Sequence, residues 1–447
     1  MYAQEIAASI PNVVFLCWMT DCRSSGIPRD FSSGFVRESL PDPTIIGLPP
    51  SFHNRTLPCP DTVHNGSCTG ADLLRSLKQR NPVFAPDTKS TYSNDAFSLL
   101  GLVLEQVTGT TYSEYMTKAI FEPLEMSSTS FEKPLDDHAV LPVGSDIWDW
   151  EEGVERPTGG LYASSRDMSK FLRSVLKNHN SIATGVNWLS PASWGTGMSN
   201  FYGMPWEIFR SDKILENTRR PVTFYTKSGG LPGYYSLITL LPEYNMGVTF
   251  LVGGDHKILG NLRDLLLPAL VKAAESATWE YVADQYTGKM VATEPSLNSS
   301  LTLASSPKDG LTITDFISNG TDVLNFVIPQ FLAPNLGQQG IRWHAQLIPT
   351  MLFKNKTSEK GEIWRMLVVE SRTENPSVFD EWCVSDIDSV TYNGIPINEV
   401  VFWREEGLVE FSAFKVIFKP DVDGMAASST LVSGYIEQLQ RLLKPGL

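Results

Sequence analysis

Two short polar clusters in the sequence are the strongest candidates for chemistry. Tyr92 and Asn94 stand at the start of an apolar run with helical spacing, and Lys227, Ser228 and Gly229 form the second cluster 135 residues later. A lysine near a phenol lowers the pKa of that phenol, which can then act as a general base. Glycines let a substrate carbonyl approach backbone N–H groups, which stabilise a tetrahedral oxyanion. Taken alone, the clusters are a turn before a helix and the start of a strand; together, in this order, they indicate acyl transfer.

Other common catalytic sites are not indicated by the sequence. It contains neither an H-E-x-x-H nor a C-x-x-C motif, so we predict no metal site. It has no Walker A loop, and its Gly-Gly-Leu-Pro-Gly stretch lacks the strand-turn-helix setting of a dinucleotide loop, so we predict no cofactor. The absence of a G-x-S-x-G elbow argues against an α/β-hydrolase. The histidines are scattered at His53, His64, His138, His179, His256 and His344.

The composition limits the kinds of partner. Of the 447 residues, 42% are hydrophobic and 19% are charged, which is typical of globular domains, and the length suggests two or three of them. The formal net charge of -14 argues against a nucleic-acid-binding surface, because phosphate backbones require basic patches. No apolar run reaches the roughly 18 residues that a transmembrane helix needs. We therefore predict no nucleic-acid partner and no membrane span.

The first 280 residues combine helical and strand-like patterns. Gly109 is the predicted end of the helix that follows Asn94, and Pro123 ends the next one. Two short apolar strands, Tyr235–Leu241 and Gly247–Val252, are joined by a Pro-Glu-Tyr-Asn turn and predict an antiparallel hairpin. This mixture predicts an α+β domain over residues 1–280, not a βαβ alternation. Helical spacing occurs in residues 69–80, 95–109, 111–124, 164–178 and 259–276.

The pattern changes after about residue 280. Short β-type runs then alternate with turn dipeptides, among which Asp309-Gly310 and Asn319-Gly320 are favourable hairpin turns. We predict a separate small all-β domain, a sandwich or a barrel, within residues 285–447. A final helix is predicted at about residues 430–443.

The two polar clusters lie inside longer segments that resemble the serine β-lactamase-like family, which includes class C β-lactamases, D-Ala-D-Ala carboxypeptidases and related esterases. The motifs of that family are S-x-x-K, a middle motif that is Y-x-N in the class C branch, and K-T-G. The resemblance covers about residues 22–275, and the β-rich tail is similar to the C-terminal domain of larger, secreted fungal members. It implies an antiparallel sheet flanked by helices, followed by the small all-β domain. The segments are SSGIPRDF, FAPDTKSTYSNDAFSLLGLVLEQVTGTTYSEYMTKAIFEPLEMSSTSF, TGGLYASSRDMSKFL and YTKSGGLPGYYSLITLLPEYNMGVTFLVGG.

The resemblance also implies a role for each candidate residue. Tyr92 would be the general base or its partner, and Lys227 would be the lysine of the third motif. Asn94 would donate a hydrogen bond to the acyl side of the substrate, and Gly230 would present one oxyanion N–H. The implied substrate is a small-molecule ester, amide or lactam, with esters and peptide-type amides favoured over β-lactams. The predicted substrate-binding residues are Asn94, Ser228, Gly229 and Gly230.

The nucleophile motif of the family, S-x-x-K, has no counterpart before the SSGIPRDF segment, where the resemblance requires it. Two hypotheses explain this: a truncated chain without the nucleophile segment, or a degenerate homologue. In either case we predict that these 447 residues lack covalent catalysis, because loss of a nucleophile costs many orders of magnitude in rate. The alternative function is a non-catalytic protein that keeps the ligand-binding cleft. S-x-x-K spacings occur elsewhere, among them Ser130/Lys133, Ser174/Lys177 and Ser305/Lys308.

Several features favour a secreted origin, although the N-terminal stretch has no basic region and is a poor signal peptide. Cys59 and Cys68 bracket a loop that contains Pro and Gly, so they form either a disulfide or a pair of free buried thiols. The other three cysteines, Cys17, Cys22 and Cys383, cannot all pair with one another. Five N-x-[ST] sequons predict N-glycosylation at Asn54, Asn65, Asn298, Asn319 and Asn355.

Overall fold

The computed structural model describes residues 69–78, 90, 92–144, 147–149, 153–178, 188–203, 205–332, 342–371 and 390–421, with the isolated residues 44, 47 and 49. The chain divides into a first unit, Met1–Ala274, and a second unit, Glu275–Leu447. Some of the predicted features lie outside the described residues. They are all five cysteines, the sequons at Asn54 and Asn65, and the final helix at 430–443.

The first unit combines helices with an antiparallel sheet. Its described helices are α1 (Gly70–Leu77), α2 (Asn94–Thr108), α3 (Tyr112–Met116), α4 (Arg156–Gly159), α5 (Ser165–Asn178) and α6 (His256–Tyr286), the last of which continues into the second unit. A two-stranded pair is formed by β1 (Thr129–Ser130) and β2 (Tyr162–Ala163). The main sheet contains β3 (Ser193–Trp194), β4 (Asn200–Tyr202), β5 (Glu207–Ser211), β6 (Val222–Leu231), β7 (Tyr234–Leu241) and β8 (Met246–Gly253).

Helix α2 begins and ends at the residues whose types favour those positions. Ser93 is the N-cap, with φ −154° and ψ 118°, and its hydroxyl accepts a 3.2 Å hydrogen bond from the Ala96 N–H. Gly109 terminates the helix in the left-handed region, at φ 68°, and its N–H donates to the Glu105 carbonyl. The end predicted at Gly109 is therefore confirmed, because glycine adopts this conformation without the steric cost of a Cβ.

We expect Gly109→Ala to lower the free energy of unfolding by about 1–2 kcal/mol, because an L-residue at positive φ places its Cβ against the following carbonyl. Gly260→Ala is the matched control: Gly260 lies within α6, where a Cβ would meet no atom within 4 Å. That change should stabilise the protein by up to about 1 kcal/mol through helix propensity. Urea unfolding of both variants measures the difference, and equal effects would contradict the backbone argument.

Two local predictions differ from the structure. The helix predicted over 111–124 is α-helical only from Tyr112 to Met116 and continues as a π-turn over Thr117–Phe121, where the Glu122 N–H donates to the Thr117 carbonyl. The extra residue in that turn accompanies burial of the Phe121 ring, a tertiary contact that local spacing does not report. Lys227 was expected at a strand start, but it lies in the middle of β6, because Val222 and Phe224 already alternate into the core before it.

The main sheet has two buried faces. Its order is β3-β4-β5-β6-β7-β8, with every pair antiparallel, and successive side chains of a strand point to opposite faces. Leu240 packs with Leu172 of α5 on one face, and its neighbour Leu241 packs with Leu267 of α6 on the other. The hairpin β7–β8 turns through Pro242–Tyr244 and Asn245 at φ 50°. The predicted α+β architecture, an antiparallel sheet flanked by helices, is confirmed.

The second unit contains a closed antiparallel barrel. Its strands are β9 (Gly288–Ala292), β10 (Ser300–Ser306), β11 (Gly310–Ser318), β12 (Thr321–Asp322), β13 (Trp343–Asn355), β14 (Lys360–Glu370), β15 (Thr391–Tyr392), β16 (Ile395–Pro396), β17 (Glu399–Trp403), β18 (Leu408–Phe411) and β19 (Val416–Pro420). The barrel strands pair in the order β10-β9-β19-β18-β17-β14-β13-β11, and β10 also pairs with β11, which closes the ring. The predicted all-β character is confirmed. Asn319 and Gly320 both have positive φ, and in the Asp309-Gly310 turn Gly310 does.

The barrel interior is filled by side chains. Phe316 lies 4.4 Å from Phe411 and 6.0 Å from Phe418, measured between ring centroids, and all three rings are fully buried. Contacts of this kind fill small eight-stranded barrels, whose interiors are just wide enough for side chains. The described part of the barrel is thus a packed core.

Candidate functional site

Tyr92 and Asn94 are held by the first turn of α2. Ser93 between them is the N-cap, so the local turn that the sequence suggested is present. The Tyr92 hydroxyl donates a 2.6 Å hydrogen bond to Asn94 Oδ1. The two side chains therefore act as a pair, and the amide nitrogen is the end of Asn94 that is suited to donate to a ligand.

Lys227, Ser228 and Gly229 lie in β6, which pairs with β5 on one side and β7 on the other. Gly229 faces Ser236 of β7, and a Cβ on Gly229 would stand 2.5 Å from the Ser236 hydroxyl oxygen. Gly230 faces Tyr235 with more room, since its Cβ would lie 3.5 Å from that ring. A side chain at position 229 would therefore force the Ser236 hydroxyl to turn away.

The structure brings the two predicted clusters together. Lys227 Nζ lies 5.2 Å from the centroid of the Tyr92 ring, which is the geometry of a cation–π contact. Lys227 Nζ also donates to the Ser228 carbonyl at 2.7 Å. Residues that are 135 positions apart in the sequence are thus neighbours, and the positive charge of Lys227 acts directly on the phenol.

Glu207 of β5 is a member of the cluster that the sequence analysis missed. Its carboxylate accepts a 2.8 Å hydrogen bond from Lys227 Nζ and a 3.1 Å hydrogen bond from the Ser228 hydroxyl. The Ser228 N–H also donates to this carboxylate, at 3.3 Å. No motif in the sequence marks Glu207.

The Lys227–Glu207 pair is partly open to solvent, with side-chain exposures of 28% and 34%. We expect Glu207→Gln to change the free energy of unfolding by less than about 1 kcal/mol, because partly exposed pairs contribute little. The same change keeps the hydrogen-bond acceptor but removes the negative charge, so binding of an anionic ligand should tighten by about threefold to tenfold.

Calorimetric titration with benzylpenicillin, an anionic β-lactam, at two salt concentrations measures the effect of Glu207→Gln. Glu216→Gln is the matched control, since Glu216 pairs with the exposed lysine Lys272 at 3.2 Å. Weaker binding by Glu207→Gln would mean instead that the charge of Glu207 is needed to hold Lys227 in position.

The remaining predicted residues have the following positions. Asn298, Asn319 and Asn355 are exposed in the second unit, and their glycosylation stays a prediction. Within the described residues no helix is long and apolar enough to cross a membrane. The same residues contain no group of three or more His, Cys, Asp or Glu side chains that could hold a metal ion.

The S-x-x-K spacings differ in their surroundings, and the one at Ser174 lies within α5. The Ser130 hydroxyl donates to the Glu132 carbonyl at 3.0 Å, and Lys133 pairs with Asp136 at 3.0 Å and with Asp149. The lysine of this spacing is thus neutralised by acids. The spacing at Ser305 lies at the end of β10 in the barrel unit, whereas Tyr92 and Lys227 belong to the first unit.

The sequence matches two family models. Residues 24–271 match the Beta-lactamase family, and residues 278–419 match the family described as Beta-lactamase-like-like, C-terminal domain. The first match covers more than half of the chain and contains Tyr92, Asn94, Glu207 and Lys227.

Similar proteins are found among fungi. A "Probable hydrolase" of Phoma sp. is 33% identical over 377 residues, which are 82% of this chain and 60% of that protein. A "Probable hydrolase" of Cochliobolus lunatus is 35% identical over 350 residues, covering 76% of this chain and 56% of the relative. A "Beta-lactamase-like protein" of Arthroderma benhamiae is 27% identical over 406 residues, covering 85% and 68% respectively. The chain spans less than two thirds of the length of the first two relatives.

Proposed function

The chain belongs to the beta-lactamase family of serine hydrolases, and we propose that its candidate site binds small molecules that carry an ester, amide or lactam bond. The observation that carries the proposal is the contact of Lys227 with the Tyr92 ring. Both residues match motif positions of the family, and hydrolases of this kind act on small-molecule substrates. We further propose that these 447 residues bind such ligands without forming an acyl-enzyme.

Each side chain has a distinct task in this proposal. The Lys227 ammonium attracts a carboxylate or a developing negative charge on the ligand. Asn94 orients the acyl side of the ligand. Its carbonyl oxygen accepts a hydrogen bond from Tyr92, so its amide nitrogen is the end that donates to the ligand. The phenol of Tyr92 holds its proton while it donates to Asn94. It becomes a base only after losing that proton, a loss that the nearby ammonium favours.

The positions of the S-x-x-K spacings in the chain support the proposed lack of acylation. Acyl-enzyme formation in this family requires the serine of an S-x-x-K motif, activated by its lysine. In the sequence that motif does not precede the SSGIPRDF segment, and Lys133 is engaged by Asp136. Without the nucleophile the same residues would bind a ligand reversibly, which is the alternative function.

A fluorophosphonate probe and benzylpenicillin test the proposal on the full chain. Intact-mass measurement followed by peptide mapping is expected to find no covalent adduct, while calorimetry detects reversible β-lactam binding. An adduct on any serine would overturn the proposed lack of acylation and would identify the nucleophile. Absence of reversible binding, together with absence of an adduct, would overturn the proposed small-molecule site.

A further inference from the structure

The hairpin formed by β3 and β4 exposes large apolar side chains beside the candidate site. Trp194 is 74% exposed and Met198 at the hairpin tip is 96% exposed, whereas the tryptophans Trp188 and Trp206 of the same unit are buried. The Trp194 ring lies 5.1 Å from the Phe201 ring, at an interplanar angle of 49°. Residues 194–202 contain no charged side chain, so this part of the surface is uncharged.

The hairpin is connected to both predicted clusters. Ser193 hydrogen-bonds through its hydroxyl to Ser90, which stands two residues before Tyr92. Across the sheet, Ser193 pairs with Tyr202, which in turn pairs with Glu207, the partner of Lys227. Two strand spacings of about 4.8 Å therefore separate the backbone of the Trp194 strand from the strand that carries Glu207.

The strand register places the Trp194 side chain on the face that Lys227 shares. Trp194 pairs with Phe201, Phe201 with Ile208, and Ile208 with Tyr225. Paired residues project to the same face of a sheet, and so do residues two apart within a strand. Tyr225 and Lys227 are two apart in β6, so the side chains of Trp194 and Lys227 leave their strands on one face of the sheet, three strands apart.

Two hydrogen bonds hold the hairpin turn between β3 and β4. The Gly195 N–H donates to the Asn200 carbonyl at 2.9 Å, and the Gly197 N–H donates to Asn200 Oδ1 at 2.9 Å. A Cβ at Gly195 would collide with the Asn200 side chain, so the glycine is required there. A turn that is fixed in this way presents the Trp194 ring to a ligand at little cost in conformational entropy.

We propose that Trp194 is the platform of an apolar subsite, which packs against an aromatic or branched apolar substituent on the ligand. The proposal rests on the proposed function, because it assigns the substituent of a ligand whose ester, amide or lactam group lies at Tyr92 and Lys227. An exposed indole face offers a large apolar area with specific stacking geometry, and Met198 adds an adaptable thioether beside it. The residue selects among ligands and takes no part in bond breaking.

A matched pair of β-lactams tests the subsite on the full chain. Benzylpenicillin carries a phenylacetyl substituent, and 6-aminopenicillanic acid has the same bicyclic core without it. Calorimetry should find that the unmodified protein binds benzylpenicillin about 2- to 10-fold more tightly, the effect expected of one aromatic contact. Trp194→Ala should remove that preference, and Trp194→Phe should retain most of it.

Leu265→Ala is the control for loss of exposed apolar surface, since Leu265 lies in α6 outside the hairpin and is as exposed as Trp194. It should leave the preference unchanged. An undiminished preference in Trp194→Ala, or equal binding of the two β-lactams by the unmodified protein, would overturn the subsite while leaving the proposed function intact. Failure of both β-lactams to bind the unmodified protein would overturn both proposals together.

Discussion

Lys227→Ala is expected to weaken the binding of benzylpenicillin by about 10- to 100-fold. Hydrogen bonds to charged groups contribute about 1.5–3 kcal/mol, and each 1.4 kcal/mol is a factor of ten in affinity. The change also leaves the Glu207 carboxylate without its 2.8 Å partner, so an anionic ligand meets a negative charge where it met a positive one. Calorimetric titration of the unmodified and variant proteins measures the loss.

Two further variants make the Lys227 result specific. Lys272→Ala removes an exposed lysine that pairs with Glu216 in the same unit, and it should leave the affinity unchanged. The double variant Lys227→Ala/Glu207→Gln should recover part of the affinity, because the repelling carboxylate is gone. A loss in Lys272→Ala equal to that in Lys227→Ala would point to net charge instead of the contact with Tyr92. An unchanged affinity in Lys227→Ala would contradict the proposed site.

Phe316→Ala is expected to lower the free energy of unfolding of the barrel unit by about 3–5 kcal/mol, the usual cost of truncating a buried aromatic residue. The ring is fully buried and packs against Phe411, Phe414 and Phe418, so its removal opens a cavity among three aromatic rings. Hydrogen exchange of peptides from β11, β18 and β19 under increasing denaturant reads this unit separately from the first.

Phe326→Ala provides the matched control, because Phe326 is 51% exposed in the same unit. Its effect should stay within about 0.5 kcal/mol, as for most surface substitutions. A similar small effect of Phe316→Ala would mean that the barrel interior collapses around the vacancy and that its core is loosely packed.

The elements that were predicted correctly from the sequence are those whose signals lie within a few residues. Ser93 caps α2 and Gly109 ends it because hydroxyl capping and left-handed glycine are properties of one turn. The β7–β8 hairpin likewise depends on two apolar runs and the turn between them. The π-turn at Thr117–Phe121 was not predicted. It accompanies burial of the Phe121 ring, and the spacing of apolar residues along the chain does not indicate such a contact.

The candidate site likewise contains residues that the sequence identified and a residue that it did not. The residue types at Tyr92, Asn94 and Lys227 were identified from the sequence because each stands in a short motif. Glu207 was not, because it meets Lys227 through the pairing of β5 with β6 across 20 residues, and no pattern specifies that pairing. The exposure of Trp194 could not be predicted from the sequence either, since most tryptophans are largely buried. Its exposure depends on how the β3–β4 hairpin lies on the sheet.

The amino-acid sequence by itself determined the two fold classes, the family and the polar groups that could do chemistry, because local periodicity and short motifs carry that information. The tertiary structure alone decided which charges meet and how the barrel closes. Lys227 lies between the Tyr92 ring and the Glu207 carboxylate, and β10 closes the barrel against β11 while also pairing with β9. These contacts join residues through strand register, which is set by the packing of whole faces and not by neighbours along the chain.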